Sequence, residues 1–96
     1  MGFALELSPA ARRDLKRVPP KIREEILFIH LPRIREQPFE VGKPLQETLK
    51  GERSYHFGHK PEYRIVYFVE DEVVTVTIIG TRESIYKWAH RRFRKG

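Results

Sequence analysis

Between Gly51 and Tyr86 the chain reads GERSYHFGHKPEYRIVYFVEDEVVTVTIIGTRESIY, three strand-like runs with two arginines and a tyrosine near their ends. Arg64 lies near the start of the second run, Arg82 just past the third, and Tyr86 four residues later. Two guanidiniums and a phenol gathered at one end of a small sheet suit the holding of an RNA phosphodiester. A planar guanidinium offers paired donors to phosphoryl oxygens, where charge builds in the transition state. Cleavage without a metal requires the ribose 2′-hydroxyl to attack the adjacent phosphate, leaving a 2′,3′-cyclic phosphate and a free 5′-hydroxyl. One group must take the 2′ proton and another must return a proton to the 5′ oxygen, each contributing roughly 10²–10⁴-fold. His56 or His59 suits either transfer near neutral pH. Lys60 suits a phosphate contact or an acid. Tyr86 suits stacking on a base or, with cations beside it, proton transfer.

Each of these residues also has a purely structural reading. Arg64 is equally a strand arginine paired with Glu62 or Glu83. Arg82 at a strand-to-helix junction can cap carbonyls, and Tyr86 can fill the edge of the core. His56 alternates with Tyr55 and Phe57, so it is either a packed strand histidine or a site residue. His59 falls in a turn and His90 on the outside of a helix. Metal-dependent cleavage would call for several carboxylates brought together. The chain has only two aspartates, Asp14 and Asp71, and Glu70-Asp71-Glu72 reads as a solvated hairpin tip. No P-loop, GxGxxG, HExxH or GxSxG pattern occurs, so no metal and no cofactor is expected.

The elements that position these residues follow from spacing. Phe3 to Leu7 fits an opening strand, and Ser8-Pro9 a helix start with Ser as N-cap and Pro in the first turn. Ala11, Leu15 and Val18 make one apolar stripe backed by Arg12, Arg13, Lys16 and Arg17. Pro19-Pro20 ends this helix and begins another, on which Ile22, Ile26 and Ile29 face the same core. Pro32 removes a backbone donor and is expected to kink or stop the second helix near Leu31. The two helices form a hairpin. Gln37 to Leu49 reads as a loop, broken by Pro38, Gly42 and Pro44.

Strands are expected over Arg53 to Gly58, Tyr63 to Val69 and Val73 to Ile79, with His59 to Glu62 as a turn. The last two are apolar on both faces and belong in the middle of the sheet. A last helix from Arg82 or Ser84 to Phe93 buries Ile85, Trp88, Ala89 and Phe93, with Tyr86 at the edge of that stripe. The fold class is therefore α+β: a small sheet, antiparallel in type, in the order β-α-α-β-β-β-α, with the helical hairpin packed on it and a short C-terminal helix.

Ninety-six residues suffice for one domain spanning 1–96. Hydrophobic residues make up 40% and charged residues 33%, which suits a thin core and a charged surface. Nineteen Lys and Arg against 13 Asp and Glu leave a net charge of +6, which favours nucleic acid or an acidic protein as partner. The C-terminal run Lys87, Arg91, Arg92, Arg94 and Lys95 is either a solvated helix end or a set of RNA backbone contacts, which would weaken steeply with salt. The absence of cysteine excludes disulfides, zinc–thiolate sites and thiol nucleophiles. No apolar run approaches the roughly 20 residues of a membrane span, and the N-terminus lacks the pattern of a secretory signal, so a cytoplasmic location is expected.

The element order, the SPAARRDLKRVP and GKPLQETLKG segments, and above all EYRIVYFVEDEVVTVTIIGTRESIY, resemble the RelE/ParE superfamily of toxins from bacterial toxin–antitoxin modules. The resemblance covers nearly the whole chain. It implies one of two activities: RelE-like members cut mRNA in the ribosomal A site, whereas ParE-like members poison DNA gyrase without catalysis. A RelE-type site uses an arginine in the YR-x-VY strand, an arginine after the last strand, a tyrosine soon after it, and basic residues on the preceding strand. These positions match Arg64, Arg82 and Tyr86. On the preceding strand this chain departs, with Ser54-Tyr55-His56-Phe57 and then His59 and Lys60 where lysines are common. The resemblance implies Arg64, Arg82, Tyr86 and His56 as catalytic, with His59, Lys60, Lys87 and Arg91 contacting RNA. It implies a cognate antitoxin as partner, mRNA on the ribosome as substrate, promoter DNA bound only through the antitoxin, and no membrane. The alternative is the gyrase poison.

Overall fold

The computed structural model describes residues 3–46, 51–85 and 87. Strand β1 spans Ala4–Leu7 and helix α1 Pro9–Arg17. Helix α2, Pro20–Glu25, runs through a π-helical segment, Ile26–His30, into α3, Leu31–Glu36. The short helix α4 covers Pro38–Val41. Strands β2 (Lys43–Pro44), β3 (Arg53–Phe57), β4 (Tyr63–Glu70) and β5 (Val73–Thr81) complete the order. A helical turn opens at residues 82–85. The expected helix beyond it, with Trp88, Ala89 and Phe93, lies outside the described residues. No helix among the described residues is long and apolar enough to cross a membrane.

The five strands form one sheet in the order β1-β5-β4-β3-β2, so the apolar β4–β5 hairpin occupies the interior as its composition predicts. Asp71 and Glu72 close that hairpin with positive φ at both positions, 55° and 62°, as a type I′ turn demands. The sheet is mixed rather than wholly antiparallel. β1 pairs with β5 in parallel, from Ala4↔Val73 to Leu7↔Val76, because α1 carries the chain away before any tight turn can form. Past Val76 the side chain of Asp14 on α1 takes over from β1, its Oδ2 accepting the Ile79 N–H at 3.0 Å.

Helix α1 starts as its sequence predicts. Ser8 caps it by accepting the Ala11 N–H at 3.1 Å, and Pro9 stands in the first turn. Its C-terminal carbonyls are capped from α2, where Arg23 Nε donates to Leu15 O at 3.0 Å and Nη2 to Lys16 O at 2.9 Å. Pro32 does not stop the second helix. The Leu31 N–H reaches back to Ile26 O, and this one wide turn lets the chain continue past the proline. The inserted residue rotates the remainder of the helix. Ile29, expected in the core, is 48% exposed, and His30, Leu31 and Ile34 are buried instead. The segment read as a loop from Gln37 contains α4 and β2. Arg53 fastens it to β3, its Nη2 donating at 2.8 Å to both Phe39 O and Gly42 O.

The main core lies between the helices and one face of the sheet, joining Ala11, Val18, Ile26 and Ile34 to Tyr55, Ile65, Tyr67 and Val76. By strand alternation the intervening residues face the other way. There Val66 and Ile78 form a smaller cluster with Ile85 and Leu45. A β-bulge makes this division possible. Val66 pairs with Ile78 but Tyr67 with Val76, so Thr77 is left over, its Oγ1 donating to Val66 O at 3.2 Å. The extra residue reverses the alternation of β5, and Val74, Val76 and Ile79 all reach the main core. It also places Gly80 on the opposite face.

Candidate active site

The candidate site forms on the sheet face away from the main core, at the end where β3 finishes, β4 starts and β5 finishes. His56 and Arg64 are directly opposed across β3 and β4, and Gly80 stands opposite Arg64 on β5. Opposed residues share a face with Cβ atoms roughly 5 Å apart, so imidazole and guanidinium are neighbours. Gly80 brings no side chain to the space beside Arg64. His56 is exposed and does not pack into the core.

Arg64 is 24% exposed at its side chain, and its Nε donates to Glu62 Oε2 at 2.8 Å. Of the two ion-pair partners that the sequence offers, Glu62 is the one that holds the arginine. That contact uses only Nε. No other hydrogen bond engages this guanidinium among the described residues, which leaves its paired Nη groups able to take an anion. The exit of β5 closes on the same place, with the Arg82 N–H donating to Glu62 O at 2.9 Å. Thr81 Oγ1 accepts the Ser84 N–H at 3.3 Å and donates to Ser84 Oγ at 2.9 Å, which starts the helical turn there. The Arg82 side chain is exposed.

The electrostatics centre on Glu62. Its carboxyl is held below the usual carboxylate range, first by the Arg64 hydrogen bond and then by the charges of Arg64, His56 and Arg82, against an opposing effect of desolvation. One carboxylate therefore sits in the combined field of three cationic or basic side chains. Glu62 is the residue that sequence reasoning undervalues, reading it only as an ion-pair option. The signal available is its i−2 spacing from Arg64, which puts both on one face.

His59 and Lys60 are exposed on the turn that joins β3 to β4, at the rim of this site. The turn takes positive φ at Gly58 (83°) and Lys60 (53°), the first favouring glycine. Lys87 is exposed two residues past Ile85, which is buried. Tyr86 and Arg91 lie outside the described residues. A second titratable cluster has no announcement in the sequence: His30, buried under the sheet, meets Tyr55 Oη at 2.6 Å through Nδ1 and Glu25 Oε2 at 3.0 Å through Nε2. Its ring stacks on Phe57 at 3.9 Å, on the face opposite His56.

A mixed five-stranded sheet backed by a helical hairpin is the architecture that the chain shares with solved toxins of the RelE/ParE class. The family model for the ParE toxin of the type II toxin–antitoxin system, parDE, matches residues 5–86, and the chain belongs to that family. Its likeness runs to RelE-type members. It is 34% identical over 89 residues to Toxin RelG of Mycobacterium tuberculosis, covering 91% of this chain and 99% of RelG. It is 31% identical over 87 residues to Toxin RelE of the same organism, covering 88% and 87%. The structure of the M. tuberculosis toxin–antitoxin complex RelBE2 superimposes with a TM-score of 0.75 at 28% identity, covering 85% of this chain and 100% of that one. This protein is accordingly a toxin of RelE type.

Proposed function

We propose that this toxin is a metal-independent endoribonuclease that cuts mRNA in the ribosomal A site. The observation that carries the reading is the cross-strand pair of His56 and Arg64 with Glu62 and Arg82 beside it. Arg64 and Arg82 clamp the scissile phosphate, and their charge is worth most as negative charge grows on the phosphoryl oxygens. The 2′ oxygen attacks phosphorus, the bond to the 5′ oxygen breaks, and a 2′,3′-cyclic phosphate and a 5′-hydroxyl result. Tyr86 stacks on a base, and His59, Lys60, Lys87 and Arg91 contact the backbone. His56 and Arg82 are exposed, so the site encloses little of a substrate by itself, and the ribosome supplies the positioning of the RNA, a large part of such an acceleration.

Residues 1–96 act as one cytoplasmic toxin domain. Its partner is a cognate antitoxin, as in the RelBE2 complex, and promoter DNA is reached through that antitoxin. The test is the chemistry of the cut ends in a purified translation system. Fragments that carry a 2′,3′-cyclic phosphate and a 5′-hydroxyl support the reading, and a 3′-hydroxyl with a 5′-phosphate contradicts it. A second reading, a ParE-like gyrase poison, is favoured by the name of the matching family. An intact message together with inhibited gyrase supercoiling would establish it instead.

A further inference from the structure

The clamp accounts for two arginines but not for the carboxylate between them. A carboxylate beside a bound phosphate is repulsive unless it has its own task or is well neutralised. Glu62 is held by Arg64 Nε at 2.8 Å through one oxygen, at a side-chain exposure of 31%, and Arg64 stands opposite His56. It is not buried, as a purely structural ion pair in a core would be.

We propose that Glu62 is the general base that takes the proton from the ribose 2′-hydroxyl, and that His56 is the general acid that protonates the leaving 5′ oxygen. This rests on the ribonuclease reading and assigns its proton transfers. The 2′ O–H proton passes to a Glu62 oxygen as the 2′ oxygen bonds to phosphorus. The phosphorus–5′ oxygen bond breaks and its electron pair takes the proton carried by the His56 imidazolium. Glu62 ends protonated and His56 neutral, and exchange with solvent resets both.

Two features sort the roles. Arg64 uses Nε for Glu62, so a phosphate taken by its Nη pair would lie about one guanidinium's width from that carboxylate. His56 stands opposite Arg64 on the neighbouring strand, whereas Glu62 precedes Arg64 on its own strand, so base and acid would approach a phosphate held by Arg64 from different directions, as attack and departure require. The surrounding cations also keep Glu62 ionised near neutral pH. An ionised carboxylate can accept a proton but has none to give, which leaves donation to the imidazole. The same cations offset its repulsion of the phosphate.

The rival role, a buttress that merely orients Arg64, is separated by Glu62→Gln, which keeps an acceptor for Arg64 Nε and removes the base. Single-turnover cleavage is measured on ribosomes programmed with ordinary message and with message carrying a bridging 5′-sulfur at the cut site. That sulfur leaves without needing a proton. On ordinary message both Glu62→Gln and His56→Ala are expected to lose roughly 10²–10⁴-fold in rate with toxin–ribosome affinity unchanged. On the sulfur message His56→Ala recovers to near the wild-type rate and Glu62→Gln stays slow. Glu62→Gln cutting ordinary message within about threefold of wild type, or recovering on the sulfur message, overturns the assignment while leaving the ribonuclease reading intact. A wild-type toxin that cuts neither message overturns both.

Discussion

His56 and Arg64 face each other across adjacent strands, on the side of the sheet that the helical hairpin does not cover. The pairing is a matter of register, so it follows from where the β3–β4 turn is placed and needs no contact between the side chains. Moving either strand by one residue in register would send its own member of the pair into the main core. A pair placed this way is held by the backbone hydrogen bonds of the sheet.

Removing a clamp arginine should slow cleavage and spare the fold, because Arg82 is exposed and Arg64 partly so. Arg64→Ala and Arg82→Ala are each expected to slow mRNA cleavage by about 10²–10³-fold, in line with the loss of one preorganised donor to developing charge. Single-turnover cleavage and growth arrest read the effect, with the melting temperature as a control. Growth arrest at wild-type strength from folded Arg82→Ala would remove that residue from the clamp.

The Glu62 carboxyl should titrate below an ordinary glutamate and move up toward it in Arg64→Ala, since the Arg64 hydrogen bond is the largest influence on it. Carbon-detected NMR titration of both proteins checks this. The linked stability has a definite sign. A carboxyl depressed in the folded state stabilises above its unfolded pKa, and that contribution disappears as pH falls through the folded value. The pH dependence of unfolding on the acid side should therefore flatten in Arg64→Ala.

The α4–β2 segment offers a test of packing away from the site. A Cβ at Gly42 would overlap the Tyr67 hydroxyl, which is buried and donates to Pro38 O at 2.5 Å. Gly42→Ala should cost about 1–3 kcal/mol through overpacking. Tyr67→Phe should cost about 1–3 kcal/mol through the stranded carbonyl. Because the phenylalanine lacks the hydroxyl that the new methyl strikes, the double variant should cost less than the sum. Denaturant melts of the four proteins close the cycle.

His30→Ala should destabilise by about 2–4 kcal/mol, since it empties a buried site and leaves Tyr55 Oη and Glu25 without their imidazole partner. On a chain of this size that lowers the melting temperature by about 4–8 °C per kcal/mol. Cleavage per folded molecule should stay near wild type, because His30 lies on the opposite side of the sheet from His56.

Much of this architecture is readable from spacing. Ser8-Pro9 marks the start of α1, Pro19-Pro20 its end, and the apolar runs after Tyr63 and Val73 mark the central hairpin. What spacing misses is insertion. Pro32 says that a helical hydrogen bond is lost, but not that a π turn will absorb it, so Ile29 is read inward. The bulge at Thr77 has the same character: one extra residue, invisible in an apolar run, decides which face Gly80 joins. The short α4 and β2 are held by Arg53 and Tyr67, contacts distant in sequence that no local pattern announces. At the site, the positions of Arg64, Arg82 and His56 near the ends of their strands already point to one end of the sheet. What spacing does not show is that the exit of β5 folds back onto Glu62, whose backbone carbonyl accepts the Arg82 N–H.

The most direct measurement of the central claim is a primer-extension map of message ends in a purified translation system, with and without the toxin. The account predicts new 5′ ends inside codons that appear only where ribosomes occupy the message, and that vanish with Arg64→Ala. An intact message under conditions where the same protein arrests growth would contradict it, and would return Arg64 and Glu62 to the role of an ordinary strand ion pair.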